Sequence, residues 1–567
     1  MNKRPLSRNE TIKAQSRGLR GTLVQSLAHV ETGAIAKDDT QLTKFHGFYQ
    51  QDDRDLRPER ARKRLEPAYS FMARLRIPAG VVSPAQWLAL ERIALERANG
   101  TIRLTTRETV QFHGIIKGNL RPAMQAINSA MLDTIAACGD VNRNVIAAVV
   151  PQRAARHGEL AALARRLSEG LLPRTRAWHE IWIDGKLQDD APGEEEPLYG
   201  PTYLPRKFKI AIALPPLNDV DVFAHDLGLI AIEREGRIIG YNVAVGGGMG
   251  MTHGEASSFP RTGDVIGFCT AEQVPAVAEA VLVVQRDHGD RSDRRQARLK
   301  YTIERLGLRN FVALLAAQAG FSLLPAEEFH FTRTGDQIGW ARGDDGAWHC
   351  TLFIENGRVQ DAGARRLLSG LHAIAQIHTG EFVLSANQNI VIANVSDTAR
   401  AEIDALITQF GMTDGLSGLR RNSMACVALP SCGLALAASE RYLPSLIDDL
   451  DAALAEYGLG SEEIVIRMTG CPNGCARPYL AEIALVGRGP CSYNLYLGGG
   501  FDGGRLNKLV ARDINQAAIV ATLRPMFASF ARERAPGEHF GDWVIRAGLV
   551  RATDAGRNFH ADLAPGL

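Results

Sequence analysis

The pattern of apolar and polar positions occurs twice along the chain, in the same order. Residues 71–82 (FMARLRIPAGVV) and 348–359 (WHCTLFIENGRV) each alternate apolar and polar positions before a turn that contains glycine. Each segment is followed by a stretch with helical spacing and then by a second strand-like run, at 100–115 and 380–395. The pattern predicts a strand, helix, strand unit in each half of the chain.

Two later pairs of segments extend this repeat. RNVIAAVVP at 143–151 corresponds to RNSMACVALP at 421–430, and GYNVAVGGG at 240–248 corresponds to SYNLYLGGG at 492–500. Four pairs in the same order, offset by about 250–280 residues, indicate two copies of one α+β module. Two such halves would leave a cleft between them in which a large ligand could lie.

Length and composition narrow the class of protein. A chain of 567 residues exceeds the roughly 250–300 residues at which single cores stop growing, so several domains are expected. The net charge of +2 argues against a nucleic-acid binder that works through bulk charge. No apolar run approaches the roughly 18 residues that span a bilayer, and the basic N-terminus lacks the apolar region of a secretory signal. Eight cysteines are too sparse for a disulfide scaffold, so we expect a cytoplasmic protein with reduced thiols.

The second copy carries four cysteines that the first copy lacks. Cys426 and Cys432 lie in ACVALPSC, and Cys471 and Cys475 follow about forty residues later in TGCPNGC. This C-x5-C…C-x3-C pattern can deliver four thiolates to one centre from two loops. Structural zinc sites usually space a pair by two to four residues, so the wider gap favours an iron–sulfur cluster over zinc, with inert buried thiols as a further alternative. The other four cysteines are expected to be core or incidental thiols.

The first copy carries cationic and polar residues at regular spacing. In TIRLTTRETVQFHG the even spacing predicts a strand with one strongly polar face. The members of this face are Arg103, Thr105, Arg107, Gln111 and His113, and further cations are Arg74, Arg76, Arg143, Arg206, Lys207 and Lys209. Any one of them could form a structural ion pair, but together they indicate a polyanionic ligand, because a buried guanidinium needs a paired acceptor. The triple glycine at 246–248 would let the backbone approach a flat ligand or a neighbouring loop closely.

These motifs resemble a known family. CVALPSC, TGCPNGC, TIRLTTRETVQFHG, NRN and YLPRKFK are similar to segments of the siroheme-containing nitrite and sulfite reductases, above all of the hemoprotein (beta) subunits of NADPH sulfite reductases. The likeness extends from FHGFYQQDDRDLR at 45–57 to GEHFGDWVIRAGLV at 537–550. It implies an internally duplicated α+β fold with antiparallel and mixed sheets, whose pseudo-twofold halves surround a central cleft for siroheme and a 4Fe-4S cluster.

The resemblance also implies roles for individual residues. The cluster ligands would be Cys426, Cys432, Cys471 and Cys475, and Cys475 would also be the axial ligand of the siroheme iron. Sulfite would be bound by Arg74, Arg143, Lys207 and Lys209. Contacts to siroheme would come from Arg103, Thr105, Arg107, Gln111, His113, Asn144, Arg206, Gly246, Gly247, Gly248 and Gln388. The CARP sequence at the last cysteine replaces a glycine common there in the family and leaves this ligand set intact.

The implied activity is that of the catalytic component of an assimilatory sulfite reductase, the six-electron reduction of sulfite to sulfide for cysteine biosynthesis. Electrons would pass from NADPH through a flavoprotein alpha subunit with FAD and FMN to the cluster and then to siroheme, within an alpha–beta hetero-oligomer. A ferredoxin-dependent siroheme nitrite reductase of the same fold is one alternative. A zinc-stabilised RNA-binding protein is an alternative of another class.

The same reasoning predicts how the chain is divided. Residues 1–65 are expected to form an N-terminal extension for partner contacts, and 66–136 and 340–412 to be the ferredoxin-like halves of one pseudo-symmetric domain. Residues 137–339 would form a first siroheme-binding lobe, and 413–567 the lobe that holds the cluster and completes the siroheme site. Neither a membrane nor a nucleic acid is expected as a partner.

Overall fold

The computed structural model of the chain describes residues 4–174, 181–183, 186–188, 196–413, 416–561 and 563. Within these residues the helices are α1 (Arg8–Ala14), α2 (Leu23–Ala28), α3 (Asp39–Leu42), α4 (Arg57–Arg62), α5 (Pro84–Arg97), α6 (Leu120–Ser129), α7 (Ala154–Gly170), α8 (Val274–His288), α9 (Leu299–Leu306), α10 (Leu308–Ala319), α11 (Leu367–Ile377), α12 (Asp397–Gln409), α13 (Gly418–Arg421), α14 (Leu443–Ala455), α15 (Gln516–Glu533) and α16 (Phe540–Arg546). The strands are β1 (Phe48–Asp52), β2 (Tyr69–Arg74), β3 (Val81–Val82), β4 (Ile102–Leu104), β5 (Val110–Ile115), β6 (Ile146–Ala147), β7 (Ile181–Ile183), β8 (Lys186–Gln188), β9 (Ile210–Ala213), β10 (Leu227–Arg234), β11 (Arg237–Val245), β12 (Asp264–Cys269), β13 (Gly339–Arg342), β14 (Trp348–Leu352), β15 (Arg358–Val359), β16 (Asp361–Ala362), β17 (Arg365–Arg366), β18 (Glu381–Leu384), β19 (Ile390–Val395), β20 (Ser423–Ala425), β21 (Ile466–Thr469), β22 (Ile483–Gly489), β23 (Ser492–Leu497) and β24 (Lys508–Ile514).

Two central sheets exchange a short strand with each other. The first central sheet has the order β1-β2-β5-β4-β15 and the second has the order β13-β14-β19-β18-β3, so the last strand of each comes from the other copy. The turns before β3 and β15 pack tightly on the partner sheet. A Cβ atom on Gly80 would lie 2.4 Å from the Leu384 oxygen, and one on Gly357 would lie 2.4 Å from the Leu104 oxygen. Only glycine fits at these two turns, where φ is also positive.

The run at 100–115 is not one strand, and neither is its counterpart at 380–395, which forms β18 and β19, so that prediction was wrong in both copies. The run at 100–115 forms β4, a turn and β5, paired antiparallel with Arg103 opposite Gln111. The turn is closed by the Thr105 amide, which donates to the Thr109 oxygen at 3.0 Å, and Glu108 adopts a φ of 49° within it. No glycine, proline or asparagine marks this turn, which is why the sequence pattern concealed it.

Two outer sheets share one topology. Lobe 1 is built on β6-β9-β10-β11-β12, and lobe 2 on β20-β21-β22-β23-β24. In each, the first three strands run parallel and the last two pairs are antiparallel. The predicted duplicated α+β fold with antiparallel and mixed sheets is therefore confirmed.

Three large apolar cores hold these sheets. One is shared by both central sheets with α5 and α11, and Trp87 of α5 packs on Phe382 with ring centroids 5.4 Å apart. A second lies under the lobe 1 sheet with α7, α8 and α10, and a third under the lobe 2 sheet with α14, α15 and α16. No helix among the described residues is both long enough and apolar enough to cross a membrane. The predicted domain boundaries remain a prediction.

Candidate active site

Two of the four cysteines lie at the ends of neighbouring parallel strands. Cys426 follows β20 directly, and Cys471 follows β21 after one glycine. Because the carboxyl ends of parallel strands meet at the same edge of a sheet, the two residues lie side by side, and the Cys426 amide donates to the Met468 oxygen at 3.2 Å.

The other two cysteines lie in loops held by distant segments. The Cys432 oxygen accepts from Arg54 at 3.4 Å, and the same guanidinium donates to the Ala435 oxygen at 2.5 Å. The Cys475 oxygen accepts from the Thr106 hydroxyl at 3.1 Å. Both loops are thus fixed from the N-terminal half of the chain.

The four thiols lie within electrostatic range of one another. Burial raises the pKa of Cys471 to about 12, with Cys475 as the next cause, and burial likewise raises the pKa of Cys426 and Cys432. Within the described part of the chain, no group of three or more His, Cys, Asp or Glu side chains is arranged to hold a single metal ion. Iron–sulfur clusters are held by cysteine thiolates, and the four thiols supply that donor set.

The cations of lobe 1 lie at the opposite ends of its strands. Arg143 and Asn144 precede β6, and Lys207 and Lys209 precede β9. The Arg143 amide donates to the Phe208 oxygen at 3.0 Å, which joins the two segments. Thiols in lobe 2 and cations in lobe 1 therefore come from opposite strand ends of the same topology.

Lys207 and Lys209 lie deep in the protein yet keep some accessible surface, in the region where the sequence predicts the central cleft. Burial lowers the pKa of both ammonium groups well below the usual range. The charge of Arg143 lowers that of Lys207 further, and Lys207 does the same to Lys209. Neither forms an ion pair with a carboxylate of the described residues, and the charge of Cys475 acts on Lys207 in the opposite direction. The cleft therefore favours an anion.

Arg74 faces the same cleft from β2. Its Nη1 donates to Cys138 Sγ at 3.0 Å, and its guanidinium lies over the Tyr49 ring at 5.8 Å. The Gln111 amide lies between Arg74 and His113. With its oxygen toward Arg74 it accepts from Nε at 2.9 Å, and its nitrogen then faces His113 Nε2. Among the residues that the structure describes, Arg74 thus has no carboxylate partner, whereas Arg76, two residues on, is held by Asp133.

Several predicted siroheme contacts are engaged by protein groups. Arg103 forms an ion pair with Glu440 and donates to the Ala425 oxygen at 2.8 Å. Arg107 donates to the backbone oxygens of Asn144 and Ile210. Burial lowers the pKa of each guanidinium to about 9; the charge of Arg358 acts in the same direction on Arg103, whereas Glu108 opposes the shift of Arg107.

The amide of Asn144 is also used within the protein. It accepts from the Ile77 amide at 2.9 Å and donates to the Arg107 oxygen at 2.8 Å. The Thr105 hydroxyl accepts from the Arg107 amide at 3.2 Å. Thr105 therefore stabilises the turn between β4 and β5 from within, and Asn144 holds that turn against lobe 1.

The remaining predicted siroheme contacts differ in whether their polar groups already have partners within the protein. The Gln388 carbonyl oxygen and the Arg107 Nε atom are buried and have no hydrogen-bond partner within the described structure. Burial lowers the pKa of Arg206 to about 10, and Arg294 lowers it further. Gly247 packs on the backbone oxygens of Phe223 and His225, while Gly246 and Gly248 face the side chains of lobe 1 arginines and a lysine. The glycine loop is therefore packed against protein, which agrees with the predicted close approach to a neighbouring loop.

Sequence reasoning missed several cations around this cleft. Arg298 forms a bidentate ion pair with Asp226, and Lys300 donates to the Gly250 oxygen at 2.8 Å. Arg358 lies opposite Arg103 because β15 joins the first central sheet. Arg54, which binds the Cys432 loop, is 378 residues away from it. Their local sequence carries no signal of these contacts, because each contact depends on the pairing of distant segments.

Comparisons with known proteins agree with this architecture. A family model described as the nitrite/sulfite reductase ferredoxin-like half domain matches residues 63–130 and 341–410. A model described as the nitrite and sulphite reductase 4Fe-4S domain matches residues 164–323. That range lies in lobe 1 and contains none of the four cysteines discussed above, so the match does not locate a cluster.

Curated relatives match nearly the whole chain. The sulfite reductase (NADPH) hemoprotein beta-component of Methylobacterium sp. (strain 4-46) is 58% identical over 565 residues, which cover 99% of this chain and 94% of the relative. The protein of the same name from Chromohalobacter salexigens is 56% identical, over 98% of this chain and 97% of the relative. The solved structure of the Mycobacterium tuberculosis NirA protein has a TM-score of 0.76 and 24% identity, covers 96% of each chain and shows the same fold.

Proposed function

The chain belongs to the sulfite reductase (NADPH) hemoprotein beta-component family, within the nitrite and sulfite reductases, and from this premise we propose that it is the catalytic component that reduces sulfite to sulfide. One observation carries the proposal. Cys475 of lobe 2 lies within electrostatic range of Lys207 of lobe 1, which forms no ion pair with a carboxylate of the described residues. In the cell this activity would provide sulfide for cysteine biosynthesis.

Siroheme and a 4Fe-4S cluster, when bound, supply the electron-transfer chemistry. Cys426, Cys432, Cys471 and Cys475 would hold the cluster. Cys475 is the exposed member of the set, and its thiol would therefore also serve the siroheme iron. The buried cations around the cleft, with the unsatisfied Gln388 oxygen and Arg107 Nε, would bind and orient a polycarboxylate macrocycle.

Arg74, Arg143, Lys207 and Lys209 would bind the sulfite oxygens. Burial lowers the pKa of Lys207 and Lys209, and the negative charge of an arriving anion opposes this shift and favours their protonated forms. Each ammonium could then hold a proton at Nζ beside the substrate; two such protons, with the electrons that the cofactors supply, balance the loss of one oxygen as water. The low accessibility of the cleft strengthens these contacts because little water competes for them.

The activity is tested with the purified protein. We expect iron and acid-labile sulfide in a cluster ratio, a siroheme visible spectrum, and sulfide formation from sulfite with reduced methyl viologen. Zinc without iron would overturn the cofactor assignment. A clear preference for nitrite over sulfite in kcat/KM would instead support the nitrite reductase alternative.

The relatives are named as one component of an enzyme, and this chain accordingly works with a partner component. We propose that the partner is a flavoprotein alpha subunit with FAD and FMN that oxidises NADPH. The N-terminal segment is proposed as its contact surface. Of the fifteen exposed large apolar side chains among the described residues, six lie in residues 4–65, and Val24 and Val30 are 75% and 88% exposed.

The partner assignment separates two electron donors. We expect sulfide from reduced methyl viologen alone, none from NADPH alone, and sulfide from NADPH once the flavoprotein is added. Val24→Glu with Val30→Glu should weaken only the NADPH-dependent rate, while Leu95→Glu, an exposed leucine of α5, serves as the control. Turnover with NADPH in the absence of the flavoprotein, or with a ferredoxin in its place, would contradict this assignment.

A further inference from the structure

Two residues of opposite charge occupy the same position in the two lobes. Asp221 and Arg477 each precede a short 3-10 turn, Val222–Ala224 in lobe 1 and Pro478–Leu480 in lobe 2. Both adopt the left-handed conformation, with φ of 49° and 51°, and each lies six residues before the third strand of its sheet. Residues other than glycine rarely adopt this backbone conformation, so its occurrence at both positions marks them as equivalent.

These equivalent residues meet in an ion pair. Arg477 Nε binds Asp221 Oδ2, and Arg467 of β21 binds the same oxygen at 2.6 Å. All three side chains are buried, with Asp221 fully inaccessible. A carboxylate buried this deeply needs such partners. Removing one member of the group leaves a buried charge without its counter-charge in a low dielectric.

The rest of the Arg477 guanidinium binds a second pair of equivalent positions. Nη1 donates to the Thr106 oxygen at 3.1 Å and Nη2 to the Ala386 oxygen at 3.0 Å. Thr106 lies two residues after β4, and Ala386 lies two residues after its counterpart β18. One guanidinium therefore joins lobe 1, lobe 2 and both central sheets where the two copies face each other.

This junction is directly connected to Cys475. The Arg477 amide donates to the Gly474 oxygen at 3.0 Å, and Thr106, whose oxygen binds Arg477, donates its hydroxyl to the Cys475 oxygen at 3.1 Å. The peptide that carries Cys475 is thus held between two groups that Arg477 itself fixes. A change at Asp221 would reach Cys475 through a single side chain.

We propose that Asp221 and Arg477 are positioning residues for the reducing centre: their ion pair across the two copies sets the orientation of the Cys475 thiol relative to the cleft. The proposal rests on the proposed function, but its main consequence concerns the apoprotein. It distinguishes Asp221 and Arg477 from other buried ion pairs, which stabilise the fold without controlling the cysteine loop.

Hydrogen exchange of the apoprotein tests the proposal independently of activity. In Asp221→Asn, the amides of residues 471–478, other than the two prolines, should exchange about tenfold faster or more, because a loop that loses one partner of a buried pair opens locally. Arg477→Lys, which keeps the charge but cannot span Thr106, Ala386 and Asp221 together, should show a smaller increase and serves if Asp221→Asn does not fold. Asp140→Asn is the matched control, since Asp140 is a buried carboxylate bound bidentately by Arg294 at 2.8 and 2.9 Å and forms none of the described hydrogen bonds to residues 471–478. It should lower thermal stability and leave exchange at 471–478 unchanged.

The loaded protein supplies a second readout. Asp221→Asn and Arg477→Lys should retain iron and siroheme but shift the visible spectrum and lower kcat with little change in KM. Wild-type exchange at 471–478 in both variants, or the same acceleration in Asp140→Asn, would overturn the proposal. Failure of the wild-type protein to reduce sulfite would contradict the proposed function alone, because the exchange result does not depend on it.

Discussion

Lobe 1 and lobe 2 have one topology and opposite chemistry. In lobe 1 the first two parallel strands are preceded by Arg143, Lys207 and Lys209, while in lobe 2 the corresponding strands are followed by Cys426 and Cys471. Neither the strand order nor the core explains this difference, since both lobes bury apolar faces against helices in the same way. The fold supplies loop positions at both ends of a sheet, and each copy has placed different groups at a different end.

The comparison also shows why the duplication matters for function. A cleft lined twice by the same residues would hold either cations or thiols on both sides. Divergence of the copies places the lysines of lobe 1 within electrostatic range of Cys475 in lobe 2, as the proposed anion-binding and cluster-binding sites require. Substitutions that make the two lobes chemically more alike should therefore have the largest effects on activity.

The largest effect is expected from Cys475→Ser. This variant makes lobe 2 resemble lobe 1, which has no thiol at the corresponding position. We expect loss of the cluster, of siroheme or of both, and no detectable sulfite reduction, because a serine hydroxyl is a poor ligand for iron in such a cluster. Iron content, acid-labile sulfide and the visible spectrum measure this. Cys491→Ser is the control, since Cys491 is also exposed and lies in the turn after β22. Normal iron content and turnover in Cys475→Ser would show that the four thiols are not one site.

A smaller effect is expected from Lys209→Met, which removes one positive charge from lobe 1. Loss of one cation from a site that excludes water typically lowers a rate on the order of 10²–10³-fold. Both cofactors should remain, so the spectrum should be unchanged while sulfite turnover falls. Lys63→Met, at an exposed lysine paired with Glu59, should be neutral. Loss of siroheme from Lys209→Met would instead indicate that the lysine holds the macrocycle.

The smallest effect concerns two equivalent acids, Asp226 in lobe 1 and Glu482 in lobe 2. Arg298 binds Asp226, whereas Glu482 has no cationic partner within the described part of the chain and accepts from the amides of Val465 and Gly541, at 2.8 and 2.7 Å. Burial raises the pKa of Glu482 from 4.5 to about 8. A raised pKa favours the protonated folded state, so this contribution to stability is fully present below pH 4.5 and is lost as the pH rises through about 8.

Chemical unfolding of the apoprotein at pH 5 and pH 8.5 measures this difference. The wild type should lose on the order of 3 kcal/mol more than Glu482→Gln over that interval, because each unit of pKa shift corresponds to about 1.4 kcal/mol. Titrations elsewhere cancel between the two proteins. Parallel pH profiles would mean that Glu482 is ionised in the folded protein at neutral pH.

The sequence predicted the duplicated fold and the family, because alternating strands, sister glycine turns and closely spaced cysteines are local patterns. It did not predict that Arg358 lies opposite Arg103, that Arg54 holds the Cys432 loop, or that Arg477 binds Asp221. These contacts join segments hundreds of residues apart and leave no periodicity. The turn at 105–109 was missed for a different reason, since none of its residues is a typical turn former. The roles of the predicted site residues stay predictions until they are tested.

The strand exchange between the central sheets has a consequence for biosynthesis. β4 pairs with β15 through Arg103 and Arg358, which are 255 residues apart (358 − 103). At a synthesis rate of roughly 5–20 residues per second, the edge of β4 waits on the order of 10–50 s for its partner strand to be made. An unpaired strand edge is a template for aggregation, and such long-range pairing slows folding. We therefore expect the nascent chain to depend on chaperones during this interval. Fragments truncated before residue 358 should aggregate after their release from the ribosome.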